Sequence, residues 1–137
     1  MSLKDISDFF IKEIHITLML IEEKLIDQEI IDTCVLPLGD SKSIVIDAFL
    51  EQAGEFVSAI IKASEAQDFS SVTRIVHSLK GTSLQLGFHR LGMIAKEIED
   101  IARGDKQGDC IYTQLGVQLK LSYDATLSYI HGELLSK

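Results

Sequence analysis

Apolar residues recur at steps of three and four along nearly the whole chain, and a single proline interrupts it. That period belongs to a helix with one buried face, whereas a half-buried strand alternates with a period of two. A β-sandwich would also need a turn signal every few residues, which is absent here. The stripe is clearest at the two ends. Leu3, Ile6, Phe10, Ile14, Leu18, Ile21 and Leu25 form one line, with Ile16 and Thr17 as the point where this helix could divide. Tyr112, Leu115, Leu119, Tyr123, Leu127, Ile130 and Leu134 form another.

Three further helices are expected between them. Pro37 and Gly39 break the connection ahead of the second helix, which starts near Ser41 or Ser43, either able to cap it. Val45, Phe49, Phe56, Ile60 and Ser64 mark its inner face. The third runs from near Ser70, after a break at Asp68, to Gly87. The fourth starts near His89, turns Leu91, Ile94, Ala95, Ile98, Ile101 and Ala102 inward, and stops at Gly104, a natural residue just past a helix end. Amphipathic helices on short loops pack antiparallel around a shared core. The expected fold is therefore all-α: an antiparallel four-helix bundle with an additional N-terminal helical segment. The chain's 137 residues fit one such domain. Residues 1–30 are expected to pack on or complete the bundle, and residues 31–137 to form it.

Composition narrows the partners. The net charge of −8 speaks against nucleic acid, whose phosphates demand a positive surface. The charge is uneven, however. All three arginines, Arg74, Arg90 and Arg103, fall in one window with Lys80 and Lys96, against Glu97, Glu99 and Asp100. This is either a chance feature of a solvated face or a local positive zone for an anionic partner. Cys34 and Cys110 lack metal-ligand spacing and read as reduced thiols. The apolar stretch 9–26 is broken by six charged or histidine side chains, so it is not a membrane span. No signal peptide is visible, and a cytoplasmic location is expected.

Of four histidines, none pairs at i, i+4, and no metal site is expected. His15, His89 and His131 are expected at the surface or its boundary. His77 stands apart. On a helical wheel of about 100° per residue, Val72, Ile75, Leu79 and Leu86 lie within about 40° of the pole opposite it. His77 therefore faces solvent. An idle surface histidine would look the same, but its neighbours are unusual. Thr73, Lys80, Gly81 and Leu84 lie within about 60° of it. A lysine there puts a compact charge where a phosphate dianion would form. A mid-helix glycine costs about 1 kcal/mol relative to alanine, and here it clears space for a second protein. Leu84 is apolar on a polar face, which suits docking.

The run His77-Ser78-Leu79-Lys80-Gly81-Thr82-Ser83, with Leu86-Gly87 behind it, resembles the signature of histidine-phosphotransfer (HPt) domains. The likeness extends from Ile31 through the fourth helix into the fifth and includes Leu91 and Glu97-Ile98-Glu99; residues 1–30 carry no motif of the family. It implies a four-helix bundle with His77 as phosphoacceptor, taking a phosphoryl group from a receiver-domain aspartate and passing it on. Lys80 would balance phosphate charge and Gly81 give steric access. Glu99 is a candidate to orient the imidazole, though it could equally be an ordinary i, i+4 partner of Arg103. Arg103 is itself a candidate phosphate contact. Thr73, Arg74, Leu84 and Phe88 are expected to meet the partner. Thr82 and Ser83 read first as small packing residues.

The partners implied are response-regulator receiver domains or a hybrid sensor histidine kinase, with a monomeric state. No cofactor is expected in the chain, since the receiver would supply Mg²⁺. With no acidic cluster and no Gly-rich phosphate loop, the chain is expected to be a phosphocarrier, not an enzyme with kinase activity. The sensor-kinase dimerisation domain is a poorer match. Its histidine is followed by an acidic residue and then a proline, whereas Ser78 follows here and no proline occurs after Pro37. Two alternatives keep the fold: an unphosphorylated adaptor that binds a response regulator or kinase, and a phosphoacceptor domain of the chemotaxis-kinase type.

Overall fold

The computed structural model describes residues 2–8, 23–104 and 109–136, the side chains of 109–114 excepted. Four long helices carry the architecture: α1 (Lys42–Glu65), α2 (Phe69–Gln85), α3 (His89–Arg103) and α4 (Asp109–Tyr129). Each packs on its neighbours in the chain and α4 returns to α1, which closes an antiparallel four-helix ring. All four long helices lie after residue 40.

A run of short helical turns, Gln28–Ile30, Ile31–Val35 and Leu36–Ser41, leads into α1 and puts Ile31 and Val35 into the core. It kinks at Gly39, whose φ of +59° other residues rarely adopt. Because the chain enters α1 already helical, Ser41 sits at the helix start without a side-chain cap bond, contrary to the capping expected of it or of Ser43. Asp68 does cap α2. Its carboxylate accepts from the Ser71 backbone N–H at 3.2 Å and from the Ser71 hydroxyl at 2.6 Å, and α2 begins at Phe69. Gly104 ends α3 at φ −76°, so the left-handed freedom expected of that glycine is not used.

The inner faces are rotated slightly from those the periodicity predicts. In α1 the buried line is Ile46, Phe49, Ala53, Val57 and Ile60, with Val45, Phe56 and Ser64 at its edge. In α4 it runs Leu115, Leu119, Ser122, Thr126 and then Ile130, with Tyr123 and Leu127 flanking. Thr126 fits inside because its hydroxyl donates to the Ser122 carbonyl at 2.7 Å. The widened turn Ile130–Leu134 then brings Ile130 and Leu134 onto the core. Lys42, only 9% exposed, donates to the Leu134 carbonyl at 2.8 Å and ties that turn to the start of α1.

Residues 23–27 are anchored across the α2–α3 corner. Asp27 N–H donates to the Gly87 carbonyl at 2.7 Å, and Arg90 N–H to the Leu25 carbonyl at 3.2 Å. His89 Nε2 lies 2.7 Å from the Glu23 carboxylate, and Arg90 Nε donates to the Glu23 carbonyl at 3.0 Å. Gly87 is required there twice over: its φ is +87°, and a Cβ would sit 3.1 Å from the Asp27 carbonyl oxygen. His131 is exposed and His89 half-buried, as boundary residues should be. Residues 3–8 are helical, with Leu3 exposed. His15 and most of the first stripe lie outside the described residues.

Among the described residues, one buried side-chain group lacks a hydrogen-bond partner. The Ser83 hydroxyl is fully buried and unbonded. Ser83→Ala removes an unmet polar group at little cost in volume, so it is expected to stabilise the protein by about 1 kcal/mol. A urea melt checks this, and a loss of stability would show that the hydroxyl has a partner in solution.

Candidate functional site

The site forms where α2 and α3 run side by side. The buried quartet of α2 is Val72, Val76, Leu79 and Ser83, while Ile75 and Leu86 are only half-buried. On the wheel this centre lies about 50° from the pole opposite His77. The rotation swings the Lys80 and Leu84 flank toward α3 and leaves His77 beside it, with its side chain 60% exposed.

The partner waiting on α3 is Glu99. Its inward, nearly buried position holds a carboxylate that accepts from three cationic or polar groups. These are Lys80 Nζ at 2.5 Å, His77 Nδ1 at 2.6 Å and Arg103 at 3.2 Å. Burial alone would raise the Glu99 pKa. The bonds from Lys80, His77 and Arg103 outweigh it and hold the carboxyl below its ordinary range. Glu99 is therefore an acceptor at neutral pH, and Nδ1 of His77 must carry the proton it receives. The lone pair is left on Nε2, the ring nitrogen not held by Glu99. The two roles weighed for Glu99, ring holder and partner of Arg103, are both filled at once.

This arrangement has an acid signature. A carboxyl whose pKa is depressed on folding stabilises the native state fully above its unfolded value. The contribution is lost as pH falls through the folded value. Glu99→Gln is expected to flatten the acid limb of the stability-against-pH curve below the ordinary glutamate range, and thermal melts at stepped pH measure it. An unchanged acid limb would mean that Glu99 is not ionised in this network.

Gly81 is exposed, and a Cβ there would touch nothing within the chain. Nothing internal requires glycine at that point in α2. Thr73 is half-buried and its hydroxyl donates to the Phe69 carbonyl at 2.8 Å. Arg74 is exposed one turn before His77. Two expected partner contacts are placed differently. Leu84 packs over Gly92 of α3, where any Cβ would overlap its side chain. Phe88 is 0% exposed and packs against Phe49 with ring centres 4.8 Å apart and planes tilted by 36°, so it belongs to the core and offers no docking surface. Phe88 follows the left-handed Gly87, so it lies past the end of α2 and turns inward.

Sequence reasoning missed three things. Gly92 permits the close approach of α2 and α3, and a glycine inside α3 was its signal. Ser70 and Ser78 join Thr73, Arg74, His77 and Arg103 around a shallow depression of about 460 Å³ beside the histidine. The Glu23–His89 anchor had no sequence signal, since its partners are far apart in the chain. Among the described residues, no group of three metal-ligating side chains comes together. None of the described helices is long and apolar enough to cross a membrane.

Residues 45–128, more than half of the chain, match the family model for the Hpt domain. The chain belongs to the Hpt domain family. The solved structures agree on the fold. Histidine-containing phosphotransfer protein B from Pseudomonas aeruginosa superposes with a TM-score of 0.73 at 22% identity, over 82% of this chain and 96% of that one. Yeast Ypd1p gives 0.68 at 14% identity, over 80% and 95%. Saccharomyces cerevisiae Ypd1, crystallised with the receiver domain of its downstream response regulator Ssk1, gives 0.67 at 16% identity, over 80% and 95%. A search of curated proteins by sequence gave no match. In this Hpt domain the matched span covers all of α2 and α3, and so the whole of the His77–Glu99 network.

Proposed function

We propose that this Hpt domain is a phosphocarrier of a two-component phosphorelay, in which His77 takes a phosphoryl group from a receiver-domain aspartate and passes it on. The observation that carries this reading is the state of one side chain. His77 is exposed, while its Nδ1 is held 2.6 Å from a buried carboxylate. An idle surface histidine has no need of such an anchor. Phosphoryl transfer asks the protein mainly for positioning and charge balance. Glu99 fixes the tautomer and aims the ring, so that Nε2 attacks phosphorus in line with the departing aspartyl oxygen. Lys80 and Arg103, both gathered on Glu99, stand ready to share the charge of the incoming phosphoryl oxygens.

Gly81 leaves room for the receiver's active-site loops, and Thr73 and Arg74 lie on the approach. Mg²⁺ is supplied by the receiver, since among the described residues no group of three metal-ligating side chains comes together. The chain carries phosphate and does not make it from ATP. Its partners are receiver domains, alone or within a hybrid sensor kinase, met in the cytoplasm by a monomeric carrier.

The test is phosphotransfer from a panel of phosphorylated receiver domains to the wild type and to His77→Gln, read by intact mass. An acid-labile gain of one phosphoryl group, absent in the variant, supports the carrier role. Binding to a receiver with no label on well-folded wild type would favour the adaptor. Label from an isolated kinase domain alone would favour the chemotaxis-kinase type.

A further inference from the structure

Of the four long helices, α2 alone carries no acidic residue. Between Phe69 and Gln85 there is no Asp or Glu, although the chain as a whole carries −8. On its outer face, beside His77, lies the shallow depression lined by Ser70, Thr73, Arg74, Ser78 and Arg103. Two guanidiniums and the hydroxyls of Ser70 and Ser78 around an imidazole form a set of donors with no carboxylate on the lining, the Thr73 hydroxyl being engaged by the Phe69 carbonyl. Glu99 lies beneath it, nearly buried, and accepts from His77 and Arg103. Such a lining suits a tetrahedral phosphate dianion better than an apolar or cationic ligand.

We propose that this depression is a subsite for small acyl phosphates, and that it lets His77 be charged directly by them without a receiver. The inference rests on the phosphocarrier reading and extends it to a second class of donor. A receiver's aspartyl phosphate is itself an acyl phosphate, a mixed anhydride of a carboxylic acid and phosphoric acid. A small acyl phosphate presents the same phosphorus and the same carboxylate leaving group. What a receiver adds is placement and a metal ion. Here Arg74 and Arg103 take the charge on the phosphoryl oxygens, and the hydroxyls orient them.

The step balances within this chain. The Nε2 lone pair forms the N–P bond, the P–O bond to the acyl group breaks, and the carboxylate leaves with that electron pair. The proton stays on Nδ1, hydrogen-bonded to Glu99, so the phosphorylated ring is cationic beside a carboxylate and no base is consumed. The depression is open and shallow, so the donor binds weakly and transfer is slow compared with a docked receiver.

The experiment incubates the full chain with acetyl phosphate in a chelator, so that no divalent ion assists, and follows intact mass with time. Wild type is expected to gain one acid-labile phosphoryl group. His77→Gln gains none, and Arg74→Ala slows the gain by about tenfold, the worth of one charge-assisted contact. Inorganic phosphate, which has the dianion but no leaving group, slows charging by competition. Arg74 is exposed on a helix, and alanine is a good helix former, so folding of this variant is not at issue. Wild type that is labelled by a phosphorylated receiver but never by acetyl phosphate would overturn the subsite and leave the carrier role standing. Label from acetyl phosphate at an undiminished rate in Arg74→Ala would also overturn it. Absence of label from both donors would overturn the two readings together.

Discussion

His77→Gln is expected to abolish phosphoryl uptake altogether while leaving stability within about 0.5 kcal/mol of wild type. The two halves of that expectation have different causes. Uptake needs a nitrogen lone pair, and an amide nitrogen has none to give. Stability hardly needs the imidazole, because its side chain is 60% exposed and outside the buried quartet of α2. Glutamine also suits a helix interior at least as well as histidine, and its amide N–H can still donate toward Glu99. The contact that orients the ring is thus partly replaced while the reacting atom is removed. A urea melt beside the intact-mass assay reads both. Acid-labile phosphate retained on the variant would transfer the acceptor role to another histidine, with exposed His131 the first to test.

The second large effect is structural. Phe88→Ala is expected to cost about 3–5 kcal/mol, the range for emptying an aromatic site in a core that cannot collapse around it. Phe88 is fully buried at the α2–α3 corner, its N–H donates to the Ser83 carbonyl at 2.9 Å, and its ring lies against Phe49 of α1. It therefore joins three helices. In a small domain such a loss is a large part of total stability. Denaturant midpoints measure it. A double-mutant cycle with Phe49→Ala should show a coupling of about 0.5–1.5 kcal/mol for the aromatic pair. If Phe88→Ala instead left the midpoint unmoved and weakened receiver binding, the residue would be a surface anchor and its buried placement here would be wrong.

Much of the site could be read along the chain because its signals are local. His77, Lys80 and Gly81 lie within two turns of one helix, so spacing alone places them on a common face. The same holds for Glu99 and Arg103 on α3. The helices announced themselves for a related reason: burial of one face imposes a 3.6-residue period on residues that are neighbours in sequence. The breaks at Asp68 and Gly87 were equally local, one through a cap and one through a left-handed backbone.

Tertiary structure decided whatever depends on how one helix is turned about its axis against another. Periodicity tolerates a rotation of a few tens of degrees, since boundary residues such as Ile75 and Leu86 satisfy it on either side. That rotation determined that Leu84 covers Gly92, that Phe88 fills the core, and that Glu99 meets Nδ1 of His77 and not solvent. So the chain by itself declared an exposed histidine beside a lysine and a glycine on a helical bundle. Only packing could hold one nitrogen of that histidine on a buried carboxylate and leave the other free. The alignment of α2 with α3 joins residues 22 positions apart, and no local pattern encodes the distance between them.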